Sequence, residues 1–108
     1  MLLKALKGED LHQAVFDVIA RHLDVERYQC FIFGSEARNE NWMASDLDIG
    51  ITGEHAVNAS VLECIREDLE SLPSLRMFDV VDFYGVSPEF RSHALKSAVS
   101  LHGKIEGA

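Results

Sequence analysis

Apolar residues repeat with a helical period in three segments of the chain. The spacing of Leu11, Val15 and Ile19 is typical of a helix that buries one face. The third such segment opens with Ser87 and Pro88, which are preferred residues at the N-cap and at the first position of a helix. The pattern predicts helices over about residues 9–24, about residues 56–71 and from residue 88 onward. The core face predicted for the third helix consists of Phe90, Ala94, Leu95, Ala98 and Val99.

Three other segments have the composition or the alternation of β-strands. Residues 28–33 are mainly aromatic and aliphatic, which is typical of a buried strand, and residues 46–51 alternate apolar with polar or small side chains. Residues 36–45 between them predict a short helix and a loop. Residues 76–84 predict a third strand, and the tail from Leu101 predicts a short edge strand. The order α-β-loop-β-α-β-α predicts an α/β (α+β) fold, in which helices flank a small mixed β-sheet.

Length and charge narrow the class of protein. The 108 residues are enough for a single domain, 1–108, and 47% of them are hydrophobic. With 18 acidic against 10 basic residues the net charge is −8, which argues against a nucleic-acid partner. No apolar run is long enough to cross a membrane, and the short, charged start of the chain predicts a cytoplasmic protein. The two cysteines, Cys30 and Cys64, are expected to be buried, reduced thiols.

The second predicted strand carries two carboxylates, Asp46 and Asp48. Residues two apart in a strand project from the same face, so these like charges would stand side by side and repel. A solvated surface strand is one interpretation, but the flanking aliphatic residues are those of a central strand. The third predicted strand also carries acids, Asp79 and Asp82, and the pattern leaves open which of them faces the first two. Carboxylates that converge on one face are suited to Mg²⁺, which prefers oxygen ligands.

The first predicted strand ends in Gly34 and Ser35. Glycine lets the backbone approach a ligand closely, and N–H groups at the start of a helix favour phosphate. Alone, a Gly-Ser pair after a strand is weak evidence, because most such pairs are turns. Followed after ten residues by Asp46-Leu47-Asp48, the pair becomes a far more specific signal.

This motif resembles the nucleotidyltransferase superfamily related to DNA polymerase β. The stretch Phe33-Gly34-Ser35-Glu36-Ala37-Arg38, the later Ser45-Asp46-Leu47-Asp48-Ile49 and then Asp79 are similar to the pattern of minimal nucleotidyltransferase (MNT) domains of bacteria and archaea. The resemblance spans nearly the whole chain and implies the nucleotidyltransferase fold. It also implies Mg²⁺-dependent transfer of AMP from ATP to a hydroxyl group, with release of pyrophosphate.

The resemblance implies a role for each residue of the motif. Gly34 and Ser35 would hold the β- and γ-phosphates of ATP, and Asp46 and Asp48 would bind two Mg²⁺ ions. Asp79 would be the third carboxylate, which the family pattern favours over Asp82. It would serve the metal nearer the attacking hydroxyl and could also act as the base.

Other positions in or near the motif keep two interpretations. Arg38 and Ser45 are candidate nucleotide contacts, with an ion pair in the loop and a turn as their structural alternatives. Asn39 stands where the family commonly has glycine, and asparagine tolerates the left-handed backbone better than other residues do. Trp42 could stack on a base or pack against its own domain, and Asp82 would be a strand-end acid.

Three functions remain open at this point. The resemblance implies a partner, a small helical protein of the HEPN type encoded by a neighbouring gene, on which a tyrosine could accept AMP. The alternatives are a non-catalytic antitoxin or binding subunit of the same fold, and a small-molecule nucleotidyltransferase, which normally needs a second domain for its acceptor. A homo-oligomer or a hetero-oligomer is compatible with the sequence.

Overall fold

The helices and strands follow one another in the predicted order. The computed structural model describes residues 6, 8–34, 47–74 and 77–101. The elements are α1 (Gly8–His22), β1 (Tyr28–Phe33), β2 (Leu47–Gly53), α2 (Ala59–Glu70), β3 (Phe78–Asp82), a 3₁₀ turn (Phe83–Gly85), α3 (Pro88–Leu95) and β4 (Val99–Leu101). The strands form one sheet in the order β3-β2-β1-β4. Because β1 runs antiparallel to β2 and β4 while β2 runs parallel to β3, the sheet is mixed, and the predicted α+β fold is confirmed.

The main core lies between one face of the sheet and the helices α1 and α2. Ile49 of β2 is fully buried there together with Val15 and Ile19 of α1 and Ile65 and Leu69 of α2. Burying such side chains stabilises a fold by about 1.5–3 kcal/mol each. The helical period seen in the sequence therefore reports which faces of α1 and α2 pack on the sheet.

Polar contacts tie α2 to its neighbours in this layer. His22 Nε2 lies 2.7 Å from Asp68 Oδ2 and joins the end of α1 to α2. The Arg66 guanidinium donates a hydrogen bond of 3.1 Å to the Val80 carbonyl oxygen of β3. At its start, α2 is capped by Asn58, whose side-chain oxygen accepts from the Ser60 N–H. The contact with Asp68 gives His22 a structural role.

The opposite face of the sheet carries a smaller, aromatic cluster. Phe31 and Phe33 of β1 pack there against Phe83 of the 3₁₀ turn and Ala94 of α3. The Phe31 and Phe83 rings meet edge to face with their centroids 4.8 Å apart. Gly50 lies beneath them, since a Cβ at this position would come within 2.5 Å of the Phe31 ring and 2.8 Å of the Phe83 ring. A glycine here lets the rings lie directly on the sheet.

Three predicted boundaries are wrong: the end of the third strand, the end of the third helix and the start of the edge strand, which begins at Val99 and not at Leu101. The third strand ends at Asp82, because the side chain of that residue caps the 3₁₀ turn and so stops the extended backbone before residues 83 and 84. The third helix ends at Leu95, and Val99 belongs to β4 instead. Within this short helix only Ala94 of the predicted core face is buried, while Phe90 and Leu95 are 41% and 43% exposed.

The two cysteines differ in environment. Cys30 is buried in β1, and burial raises the pKa of its thiol from 9.0 to about 12. Cys64 is exposed, so the expectation that both thiols are buried is wrong for this one. The reason is its position on α2: it immediately precedes Ile65, whose side chain points into the core, and a helix turns neighbouring residues to different sides. In the part of the chain that the structure describes, no helix is long and apolar enough to cross a membrane.

Candidate active site

Asp48 of β2 and Asp79 of β3 are neighbours across the sheet. The parallel register pairs the two residues directly, at strand positions about 4.8 Å apart. Residues paired in register project from the same face, which for Asp48 is the face of the aromatic cluster. Asp79 is exposed and Asp48 is partly exposed, so this pair lies where a ligand from solvent can reach it.

Asp82 lies on the other face. The same register pairs it with Ile51, which is buried in the main core. Its carboxylate accepts hydrogen bonds from the Val57 N–H at 2.9 Å and the Tyr84 N–H at 3.0 Å. Asp82 thus joins the segment before α2 to the end of β3. The register answers the question that the alternation left open: it is Asp79 that shares a face with Asp48.

Gly34 follows β1 at the same edge of the sheet. Its φ of +81° is in the left-handed region, which residues with a side chain rarely adopt. A Cβ at this position would also collide with the Asp48 carboxylate. The preceding residue, Phe33, is the strand partner of Asp48. Any residue larger than glycine would therefore both strain the backbone and displace the Asp48 carboxylate.

The remaining predicted site residues lie outside the described residues. These are Ser35, Arg38, Ser45 and Asp46, and the predicted helix and loop over residues 36–45, with Asn39 and Trp42, lies there too. Among the residues that the structure describes, no three His, Cys, Asp or Glu side chains are grouped as a metal site would require. The described part of the site is the Asp48 and Asp79 pair with Gly34 against it.

The chemistry of this pair fits a hard divalent cation. Two adjacent carboxylates repel each other, and a cation between them removes that repulsion while it uses their oxygens as ligands. Gly34 adds backbone that can approach a ligand without a side chain in the way. Asp82, in contrast, already accepts two backbone hydrogen bonds and lies on the core face.

The rings of Phe33, Phe83 and Phe90 form an aromatic wall on the face of the sheet that carries Asp48. The Phe33 ring meets the Phe90 ring edge to face with their centroids 6.0 Å apart, and Phe83 lies 5.5 Å from Phe90. Reasoning from the sequence places Phe90 in the core and misses this wall. The signal was present in β1, because Phe31 and Phe33 are two residues apart and so share a face, and Phe33 precedes Gly34.

Comparisons with known proteins agree on one family. The family model described as "Polymerase beta, Nucleotidyltransferase" matches residues 15–106. A solved structure of a candidate minimal nucleotidyltransferase is 31% identical, covers 82% of this chain and 86% of its own, and has a TM-score of 0.64. No match is found among curated proteins.

More distant solved structures share the fold. A chain of a toxin–antitoxin structure with AMP-PNP has 17% identity, a TM-score of 0.69 and coverage of 85% of this chain and 73% of that one. A chain from a complex of tri-AMPylated HEPN toxin with MNT antitoxin of Shewanella oneidensis has 16% identity and a TM-score of 0.64, over 86% of this chain and 70% of that one. At these identities the likeness shows the arrangement of helices and strands.

Proposed function

The chain belongs to the polymerase β nucleotidyltransferase family, and we propose that it transfers AMP from ATP to a hydroxyl group of a helical partner protein in the cytoplasm. The observation that carries this proposal is the register of β2 and β3, which sets Asp48 beside Asp79, together with the backbone of Gly34 against Asp48. These are three of the residues to which the motif assigns metal and phosphate binding. The proposal extends the site to Asp46, Ser35, Arg38 and Ser45 on the strength of the motif.

In the proposed site Asp46, Asp48 and Asp79 would hold Mg²⁺. When bound, Mg²⁺ offsets negative charge on the phosphates and lowers the pKa of an attacking hydroxyl. The register of β2 and β3 brings two of the three carboxylates, Asp48 and Asp79, to one face of the sheet, where Asp79 is exposed and Asp48 is partly exposed. The fold thus presents its acids to solvent at the point where a triphosphate can enter.

The chemical step is an in-line displacement at the α-phosphorus of ATP. The acceptor oxygen forms a bond to that phosphorus, and the bond from phosphorus to the oxygen that bridges to the β-phosphate breaks. Pyrophosphate leaves with the electron pair, and Asp79 takes the proton of the hydroxyl. Backbone N–H groups near Gly34 and the Ser35 hydroxyl would donate to the β- and γ-phosphates and hold the leaving group in line.

The distant structural neighbours support a protein acceptor. The distant structural neighbours include a HEPN toxin carrying three AMP groups in complex with an MNT antitoxin, and a toxin–antitoxin structure with AMP-PNP. We infer that the acceptor here is likewise a side chain of a HEPN-type helical protein. A protein acceptor also agrees with the net charge of −8, which disfavours a nucleic-acid end.

The test is a transfer assay with purified proteins. The chain is incubated with labelled ATP, Mg²⁺ and the helical protein encoded by the neighbouring gene, and the partner is examined for a gain in mass of one or more AMP groups. We expect a gain that disappears with Asp48→Asn and on chelation of Mg²⁺. Asp82→Asn is the matched control, since it removes a carboxylate of the neighbouring strand that lies on the other face.

The alternatives correspond to distinct outcomes of this assay. Full transfer by Asp48→Asn would contradict the assignment of the metal site. No transfer to the partner, in spite of a stable complex with it, would indicate the non-catalytic antitoxin. Transfer to a small molecule but not to the partner would indicate the third function, the small-molecule nucleotidyltransferase.

A further inference from the structure

The aromatic wall beside Asp48 ends in a ring that the fold leaves half exposed. Phe90, in the first turn of α3, is 41% exposed. Its ring contacts those of Phe33 and Phe83, and Phe33 is the strand partner of Asp48. Two successive neighbour contacts therefore connect the exposed ring to the carboxylate. A large aromatic surface open to solvent borders the face on which the chemistry is proposed.

We propose that the Phe90 ring is the surface on which the base of the bound nucleotide stacks. The inference rests on the proposed function, because it takes the α-phosphate to lie at Asp48 and Asp79. Paired side chains on one face of a sheet are about 5 Å apart, and the Phe33 and Phe90 rings are 6.0 Å apart. The Phe90 ring is thus separated from the Asp48 side chain by one intervening residue, Phe33. The ribose of a nucleotide bridges a gap of this kind between phosphate and base.

Stacking on an aromatic ring suits a base because every base presents a π-face. The platform is also held in place before the ligand arrives. The guanidinium of Arg91, the next residue, donates to the Phe83 carbonyl oxygen at 2.7 Å and to Thr52 Oγ1 at 3.3 Å. It lies 5.8 Å from the centroid of the Phe83 ring. Because α3 is already fixed to the sheet, little conformational entropy is lost when a base stacks on Phe90.

The segment that contains α3 carries less negative charge than the chain as a whole. From Ser87 to Leu101 the sequence has one acid, Glu89, and two bases, Arg91 and Lys96, whereas the whole chain has a net charge of −8. Within α3 itself Glu89 and Arg91 balance, so the helix adds no net negative charge on the side from which a nucleoside triphosphate would approach Phe90. A docking surface for the partner helix is the competing interpretation of an exposed phenylalanine, and the experiment separates the two.

The experiment compares a ligand that has a base with one that lacks it. Binding of AMP-PNP and of inorganic tripolyphosphate, each with Mg²⁺, is measured by calorimetry for the unmodified protein, Phe90→Leu, Phe90→Trp and Leu95→Ala. Leu95 is the matched control, because it lies on the same helix and is 43% exposed but offers no aromatic ring on which a base could stack. Thermal unfolding of each variant is recorded as a check on folding.

We expect Phe90→Leu to weaken AMP-PNP binding about tenfold, which is about 1.4 kcal/mol, and to leave tripolyphosphate binding within about twofold. Phe90→Trp should keep AMP-PNP affinity, and Leu95→Ala should change neither ligand. An equal loss of both ligands, or no loss of either, would overturn the stacking role while the proposed function stands. If the unmodified protein binds neither probe, the proposed function itself fails.

Discussion

The two acids of β3 test whether one face of the strand serves activity and the other serves stability. Asp79 and Asp82 are three residues apart in one short strand and carry the same charge. The register places Asp79 beside Asp48 and Asp82 beside Ile51, on opposite faces. We predict that Asp79→Asn removes activity without loss of stability, whereas Asp82→Asn removes stability with much less effect on activity.

The expected size of each effect follows from the contacts. Asp82 accepts two backbone hydrogen bonds, and asparagine can replace only one of the two oxygens, so its NH₂ group would face the N–H of either Val57 or Tyr84. Loss of one such bond to a charged acceptor costs about 1.5–3 kcal/mol. For a domain of about this size, each kcal/mol corresponds to a fall of about 4–8 °C in Tm. Asp82→Ala should cost more, since it leaves the N–H of the buried Val57 without an acceptor.

Asp79 should behave in the opposite way. It is exposed, and no hydrogen bond among the described residues uses its carboxylate. Its closest charged strand partner is Asp48, so Asp79→Asn relieves repulsion, and Tm should stay the same or rise slightly in the absence of metal. Transfer of AMP should fall about 100-fold or more, because a ligand and a candidate base are lost together.

Two measurements on the same samples decide the outcome: the Tm from circular dichroism, without metal, and the rate of AMP transfer to the partner. If Asp82→Asn abolished transfer at an unchanged Tm, and Asp79→Asn kept full activity, the assignment of the third carboxylate would be wrong. If both variants lost Tm equally, the separation of the two faces would be wrong.

Three further predictions concern the glycine, the arginine and the cysteines. Gly34→Ala should lower the free energy of unfolding by about 1–3 kcal/mol, because alanine rarely adopts the positive φ of this position. It should also reduce AMP transfer at least about tenfold, because the new Cβ displaces the Asp48 carboxylate. A transfer rate equal to that of the unmodified protein would refute the role of Gly34 in positioning Asp48. Arg91→Lys should lower the Tm measurably, since lysine cannot donate to the Phe83 carbonyl and to Thr52 in the same geometry, and an unchanged Tm would show that this link is not needed. A thiol reagent at pH 8 should modify only Cys64 in the native protein and both cysteines after denaturation. Cys30 should be protected because it is buried and its pKa is raised to about 12. Two fast-reacting thiols in the native state would contradict the burial of Cys30.

The helices and strands can be predicted well from the sequence because their apolar residues recur with a clear helical or strand period. The helical faces of α1 and α2 can be read from the spacing of residues such as Val15, Ile19 and Ile65, all of which are buried. The end of β3 could not be read in this way, since Phe83 and Tyr84 have strand-like composition. The strand stops there because the Asp82 side chain caps the next turn, which is a contact and not a pattern.

In the candidate site too, some features can be predicted from the sequence pattern and others depend on contacts between elements. The motif places Gly34 at the end of the first strand and Asp48 within the second, and in the structure a Cβ on Gly34 would collide with the Asp48 carboxylate. Alternation alone could not choose between Asp79 and Asp82, because it fixes faces within a strand and says nothing of the register between strands. The exposure of Phe90 could not be predicted from the sequence pattern either. A helix of eight residues is too short for its apolar positions to define a single buried face.

The net charge of −8 illustrates why a total for the chain says little about a site. It argues against a nucleic-acid partner, yet the proposed substrate is itself an anion. The conflict is resolved by where the charges lie. Acids dominate the outer surface of α2, with Glu63, Glu67 and Glu70, whereas the segment that contains α3 has more bases than acids. The segment that contains α3 therefore adds no net negative charge to the face that carries Asp48 and Asp79, whereas the acids of α2 would repel a triphosphate, and a cation bound at the two carboxylates would offset their own charge.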